Sequence, residues 1–191
     1  MKEREKNILE AARQVFGDHG FYQTKIQDIA DTAGIGKGTV YEYFDSKQDL
    51  FCRMVRYSLS LYAQRVRASM SGGDCLTRLR GYISVNRHIV AHSGPLMDLF
   101  LSNGSIGEDE EMRREIMGLF LDAKKELIGM VAEALCLGQA EGIIEPKADT
   151  TLSAEMFLHM TMGYCHCLER TREKEAADTL LDIFLHGVGR R

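Results

Sequence analysis

The chain has no tryptophan and only two prolines, Pro95 and Pro146, in 191 residues. β-Branched runs are scarce as well. Sheets draw on β-branched and aromatic residues, and proline interrupts helices, so a mostly helical chain is expected. No uncharged apolar run approaches the ~18 residues that a membrane span requires; the longest candidate, Leu127 to Leu137, carries Glu133 in its middle. Met1 to Lys6 alternates charge sign with no apolar stretch behind it, which speaks against a secretory signal. Five cysteines, at 52, 75, 136, 165 and 167, follow no disulfide-like spacing and are expected to be reduced thiols of a cytoplasmic protein. There is no Gly-x-Ser-x-Gly, no phosphate-cradling Gly-Lys-Ser/Thr loop and no His-Glu-x-x-His, so nothing points to an enzyme or a resident cofactor. An excess of positive charge is also missing. The net charge is −4, which taken globally disfavours a generic polyanion binder.

What is present is helical periodicity, and it predicts an all-α chain of about nine helices. Ile8, Leu9, Ala12, Val15 and Phe16 make one apolar stripe over residues 2–19, with Gly20 placed as a left-handed cap. Thr24-Lys25-Ile26-Gln27 fits a capping box ahead of a helix of about eight residues. Gly34-Ile35-Gly36 reads as a tight turn, followed by a short helix from Lys37 to Phe44 with Val40 and Phe44 inward. Ser46 and Asp49 cap a long helix to about Met70, whose two halves need different packing partners. Further helices are expected at about 75–92, 95–101, 110–141, 150–170 and 174–188. The expected organisation is an N-terminal domain over 1–46, a shared helix over 47–70, and a C-terminal helical domain over 71–191.

Two short helices joined by a three- or four-residue glycine-containing turn describe a helix-turn-helix, whose second helix enters the major groove. Its outward residues here are expected to be Lys37, Gly38, Thr39, Tyr41 and Tyr43. Lysine suits guanine or phosphate, threonine a hydroxyl or thymine-methyl contact, and tyrosine a phosphate bond or thymine packing, while Gly38 lets backbone approach closely. Tyr43 has a second possible use, as a brace against the first helix. Lys47 and the amides opening the long helix suit a phosphate. The charge distribution agrees: residues 1–57 hold nine Lys/Arg and nine Asp/Glu, so the whole deficit falls in residues 58–191.

Phe16, Gly20, Thr24, Ile29 and Ala30, the run Ala33 to Phe44, and Ser46, Lys47 and Leu50 together resemble the DNA-binding domain of the TetR family over about residues 6–52. The resemblance implies a homodimeric, ligand-responsive transcriptional regulator, usually a repressor, with Thr24 and Lys47 as phosphate contacts. It also implies Lys37, Gly38, Thr39, Tyr41 and Tyr43 as the recognition face, with Lys25 where some members place a base-contacting arginine.

For the rest of the chain three expectations stand. Leu152, Met156, His159 and Gly163 on one helix, with Ala177, Leu180, Leu181 and Phe184 on the last, are the expected dimer surface, because the last helix is apolar around more than one stripe. Tyr62, Val66, Ile83, Asn86, Val90, Met97, Phe100, Phe120, Phe157, Met160 and Tyr164 are the expected lining of a cavity for a small, mostly apolar or aromatic effector, with a solid core as the alternative. Cys165-His166-Cys167, with His159 and the His88/His92 pair, raises a metal- or thiol-responsive alternative. Consecutive helical residues point about 100° apart and cannot all ligate one metal, so no metal site is assigned. A helical enzyme that keeps the corner only as structure is the remaining alternative.

Overall fold

The structure is a computed structural model and describes residues 2–92, 109–168 and 176–188, with the side chains of 90–92, 166–168, 176 and 188 left out of the description. Among the described residues there are eight helices and no strand: α1 (Glu3–Gln23), α2 (Ile26–Thr32), α3 (Lys37–Tyr41), α4 (Lys47–Ser69), α5 (Cys75–His92), α6 (Glu110–Ala140), α7 (Thr150–Leu168) and α8 (Ala176–Val188). The helix expected at 95–101 lies outside the described residues.

The chain divides into two compact units, residues 1–61 with 93–122, and residues 62–92 with 123–191. In the first, α1, α2, α3, the start of α4 and the start of α6 share one apolar core. Phe16, Ile29, Leu50, Phe51 and Met54 are fully buried in it, joined by Met112 and Ile116 of α6. Phe16 and Phe51 meet edge to face with centroids 4.9 Å apart, a favourable aromatic geometry. The second unit gathers Val66, Leu79, Tyr82, Ile83, Val131, Leu135, Phe157 and Phe184 around its own core. The Phe157 and Phe184 rings stand 4.9 Å apart.

Local chemistry explains where the short helices begin and end. α1 is interrupted at Gly20, whose φ of 74° is open to glycine, and the chain then runs one short turn to Gln23. α2 closes in a Schellman motif: Gly34 at φ 66° donates to the Asp31 carbonyl (3.1 Å) and Ile35 to the Ala30 carbonyl (3.0 Å). At the start of α4, the Asp49 amide donates to the Ser46 hydroxyl at 3.0 Å, the expected cap. The cap of α2 differs from expectation. Lys25 is its N-cap residue and the Asp28 carboxylate accepts the Lys25 amide at 3.1 Å, so the Thr24/Gln27 pair is not the box. The recognition helix is also shorter than expected, because after Tyr41 the Tyr43 and Phe44 amides both turn back onto the Val40 carbonyl.

Candidate nucleic-acid interface

α2 and α3 are joined by four residues, Ala33 to Gly36, and α3 is seated by Val40 and Phe44, both buried in the first core. That seating turns Lys37, Gly38 and Tyr41 to solvent, with Tyr41 48% exposed and the Lys37 Nζ 6.0 Å from the centre of its ring. A Cβ added at Gly38 would meet nothing within 4 Å, so the protein itself leaves room for a side chain there. Thr39 is half-buried. Tyr43 is half-buried and packs on the first core, which fits its alternative use as a brace. Lys25 is exposed.

Thr24 is a correction. It is buried, its hydroxyl donates to the Gly20 carbonyl at 2.7 Å, and its amide donates to the same carbonyl at 3.3 Å. It satisfies backbone freed by the break at Gly20 and does not offer its hydroxyl to a phosphate. Lys47 is half-buried and already has a partner: its Nζ donates to the Tyr22 carbonyl at 3.2 Å and lies 4.7 Å from the centre of the Phe21 ring. Partial burial holds its pKa below the ordinary lysine value. Two exposed or charged neighbours were not anticipated from periodicity: Tyr22, which is exposed, and Arg53, which binds the chain leaving α3. Both lie on helix surfaces where an apolar stripe gives no signal.

In the second unit, Val66, Ile83 and Phe157 are fully buried core residues, while Tyr62, Met160 and Tyr164 pack against that core. Asn86 is buried with both ends of its amide used. It accepts the Tyr62 hydroxyl at 2.8 Å and donates to the Tyr82 carbonyl at 2.8 Å, and burial pushes the pKa of both tyrosines up. Phe120 is a correction: it packs on the core of the first unit, because α6 passes from one unit to the other after Asp122. The side chain of Val90, and Met97 and Phe100 entirely, lie outside the described residues.

On α7, Leu152 (56% exposed), Met156 (54%), His159 and Gly163 all face solvent in the single chain. On α8 the expectation is corrected. Leu180, Leu181 and Phe184 are buried in the chain's own core and Ala177 is half-buried, whereas Ile183 is 59% exposed. An all-round apolar helix does not reveal which stripe its own core takes. Among the described residues no group of three His, Cys, Asp or Glu could hold a metal ion. Burial pushes the Cys52 thiol up to about 12, with Glu115 adding to it, and the Cys75 and Cys165 thiols up to about 11. Cys136 is exposed. No helix among the described residues is long and apolar enough to cross a membrane.

Residues 8–54 match the family model for bacterial regulatory proteins of the tetR family. The chain is 29% identical over 141 residues to the uncharacterized HTH-type transcriptional regulator YuxN of Bacillus subtilis, covering 70% of this chain and 48% of YuxN. It is 28% identical over 153 residues to the HTH-type transcriptional repressor KstR2 of Mycobacterium tuberculosis, covering 78% of this chain and 73% of the repressor. The chain thus spans about half the length of the first relative and about three quarters of the second. The crystal structure of FadR from Bacillus subtilis in complex with stearoyl-CoA superposes with a TM-score of 0.71 at 20% identity, over 96% of this chain and 98% of that one. The matched residues lie within the unit that carries the exposed face of α3, and the likeness in fold extends over both units: residues 8–54 are a DNA-binding domain of the tetR family type.

Proposed function

We propose that the chain is a sequence-specific DNA-binding transcriptional regulator that acts as a homodimer in the cytoplasm, and that it has no catalytic role. The observation that carries this reading is α3: a five-residue helix fixed from behind by Val40 and Phe44 that presents Lys37, the bare backbone of Gly38 and Tyr41 outward. One such helix reads few base pairs. A two-fold dimer places two of them roughly 34–36 Å apart and reads a near-palindrome. The exposed row Leu152, Met156, His159 and Gly163, with Ile183, supplies an apolar surface for the second copy.

In this reading the protein is a repressor released by a small, mostly apolar or aromatic effector bound in the second unit. The apolar core around Phe157 supports it, as do KstR2, named as a repressor, and FadR, crystallised with stearoyl-CoA. An effector that reaches Asn86 has to displace the Tyr62 hydroxyl. α4, which contributes residues to both units, transmits the change. Release follows only if the effector binds the DNA-incompetent form better, and a coupling of about 1–3 kcal/mol lowers operator affinity roughly 5- to 150-fold.

The test is selection of duplexes from a randomised library, followed by titration of the enriched sequence. Lys37→Ala and Tyr41→Ala are each expected to weaken that duplex by about 1–3 kcal/mol and to leave the elution volume of the dimer unchanged. If both variants bind the enriched duplex like the parent, α3 is not the reading element.

A further inference from the structure

α3 is too short to hold its own direction, since an isolated turn is marginal in water. Val40 and Phe44 anchor it to the core, and the half-buried Tyr43 packs against that core at its exit, so the direction of α3 depends on how this exit is held. Beside the end of α3 lies a concavity of about 630 Å³ lined by Lys2, Glu5, Glu42, Tyr43 and Arg53.

Arg53 of α4 crosses that gap. Its Nη1 donates to the Tyr43 carbonyl at 2.8 Å, and its Nη2 pairs with the Glu5 carboxylate of α1. Asp49 lies 3.7 Å from Nη1, and the guanidinium sits 4.5 Å from the centre of the Phe44 ring. The planar fork of arginine suits this multiple engagement, and its donors are directed to partners within the unit. Tyr43 and Phe44 are the residues by which the chain leaves the recognition helix.

We propose that Arg53, held by Glu5, is a positioning residue for sequence recognition: it fixes the exit of α3 and so sets one pose of Lys37 and Tyr41 toward the bases. The inference rests on the DNA-binding reading above. Arg53 itself touches no DNA in this scheme. Loosening it therefore degrades discrimination between sequences while leaving the general attraction to phosphate intact.

The experiment uses the full chain, the duplex enriched by the parent protein, and a scrambled duplex of equal length. Arg53→Met puts an apolar side chain beside Phe44 and removes the charged fork. It is expected to lower the enriched-to-scrambled affinity ratio by about tenfold, with scrambled binding and its salt dependence unchanged. Glu5→Gln is expected to lower the ratio about two- to threefold, and the double variant to match Arg53→Met alone, because both act through one link. An unchanged ratio in Arg53→Met overturns the proposal. So does an equal loss on both duplexes with a shallower salt slope, which marks a direct phosphate contact, or a double variant in which the two effects add. If Arg53→Met does not fold, Glu5→Gln decides alone: a lowered ratio at parental thermal stability supports the link, and a parental ratio overturns it. A parent that enriches no sequence overturns the DNA-binding reading and this proposal together, whereas a parent that enriches one and an unaffected Arg53→Met removes only the latter.

Discussion

The two units each leave a face open to solvent, and the faces differ in chemistry. The first exposes a cation, a glycine backbone and a phenol on the five-residue α3. The second exposes Leu152 and Met156 on the 19-residue α7, and Ile183 on α8. The first offers hydrogen bonds and charge to a polar partner, with affinity that falls as salt screens it. The second offers little beyond apolar area, whose burial does not weaken with salt in this way. The kind of partner is thus written in the exposed residues, while the buried ones, similar in both units, only hold those faces in place.

The largest effects test that shared role of the cores. Phe16→Ala in the first unit and Phe157→Ala in the second each delete a fully buried ring and are expected to cost about 3–5 kcal/mol in denaturant unfolding. A loss under about 1 kcal/mol in either would show that its unit is not held by that core. Next comes the apolar face. Leu152→Glu combined with Met156→Glu should leave the protomer's unfolding nearly unchanged, because both residues are exposed in the single chain. Dimer dissociation is expected to become easier by roughly 2–4 kcal/mol, measured by light scattering across a dilution series. A dimer that survives intact would remove α7 from the interface.

Gly38→Ala separates fold from recognition. No atom lies within 4 Å of the added Cβ, so thermal stability should hold or rise by up to ~1 kcal/mol from helix propensity. Affinity for the enriched duplex should fall by about 1.4 kcal/mol, a factor of ten, if backbone and DNA approach closely at this point. Unchanged affinity would place Gly38 away from the bases. The smallest effect concerns thiols. With iodoacetamide at pH 8, Cys136 should label well ahead of Cys52, Cys75 and Cys165 by peptide mass spectrometry. A raised pKa leaves those three with less thiolate, and burial blocks the reagent as well. Rapid labelling of Cys52 would mean that the first core opens.

The helix-turn-helix was legible because its determinants are local. Gly34 is required by the turn, Ser46 by the cap, and Val40 and Phe44 by the spacing that seats α3. Thr24 misled for a local reason too: Thr-x-x-Gln imitates a cap, yet the break at Gly20 one turn earlier claims the hydroxyl. The last helix could not be read from pattern. Leu180, Leu181, Ile183 and Phe184 are equally apolar, and only the neighbouring helices decide that Ile183 is the one left outside. Phe120 failed similarly, since an uninterrupted 31-residue helix gives no sign of where it leaves one core for another. Arg53 carries no motif at all, and its use appears only once Tyr43 and Glu5 are seen beside it.

The first core has a practical consequence in its makeup. Met112 and Ile116, more than sixty residues downstream of the start of α4, are buried in the same core as the apolar side chains of α1 and α4. A polypeptide ending at residue 61 would therefore carry the whole helix-turn-helix and still lack part of its own interior. Such a fragment would present raw apolar surface where α6 belongs and would be a target for proteases and a seed for aggregation. The reading head cannot be detached by a single cut; it is stitched from two distant stretches of the chain.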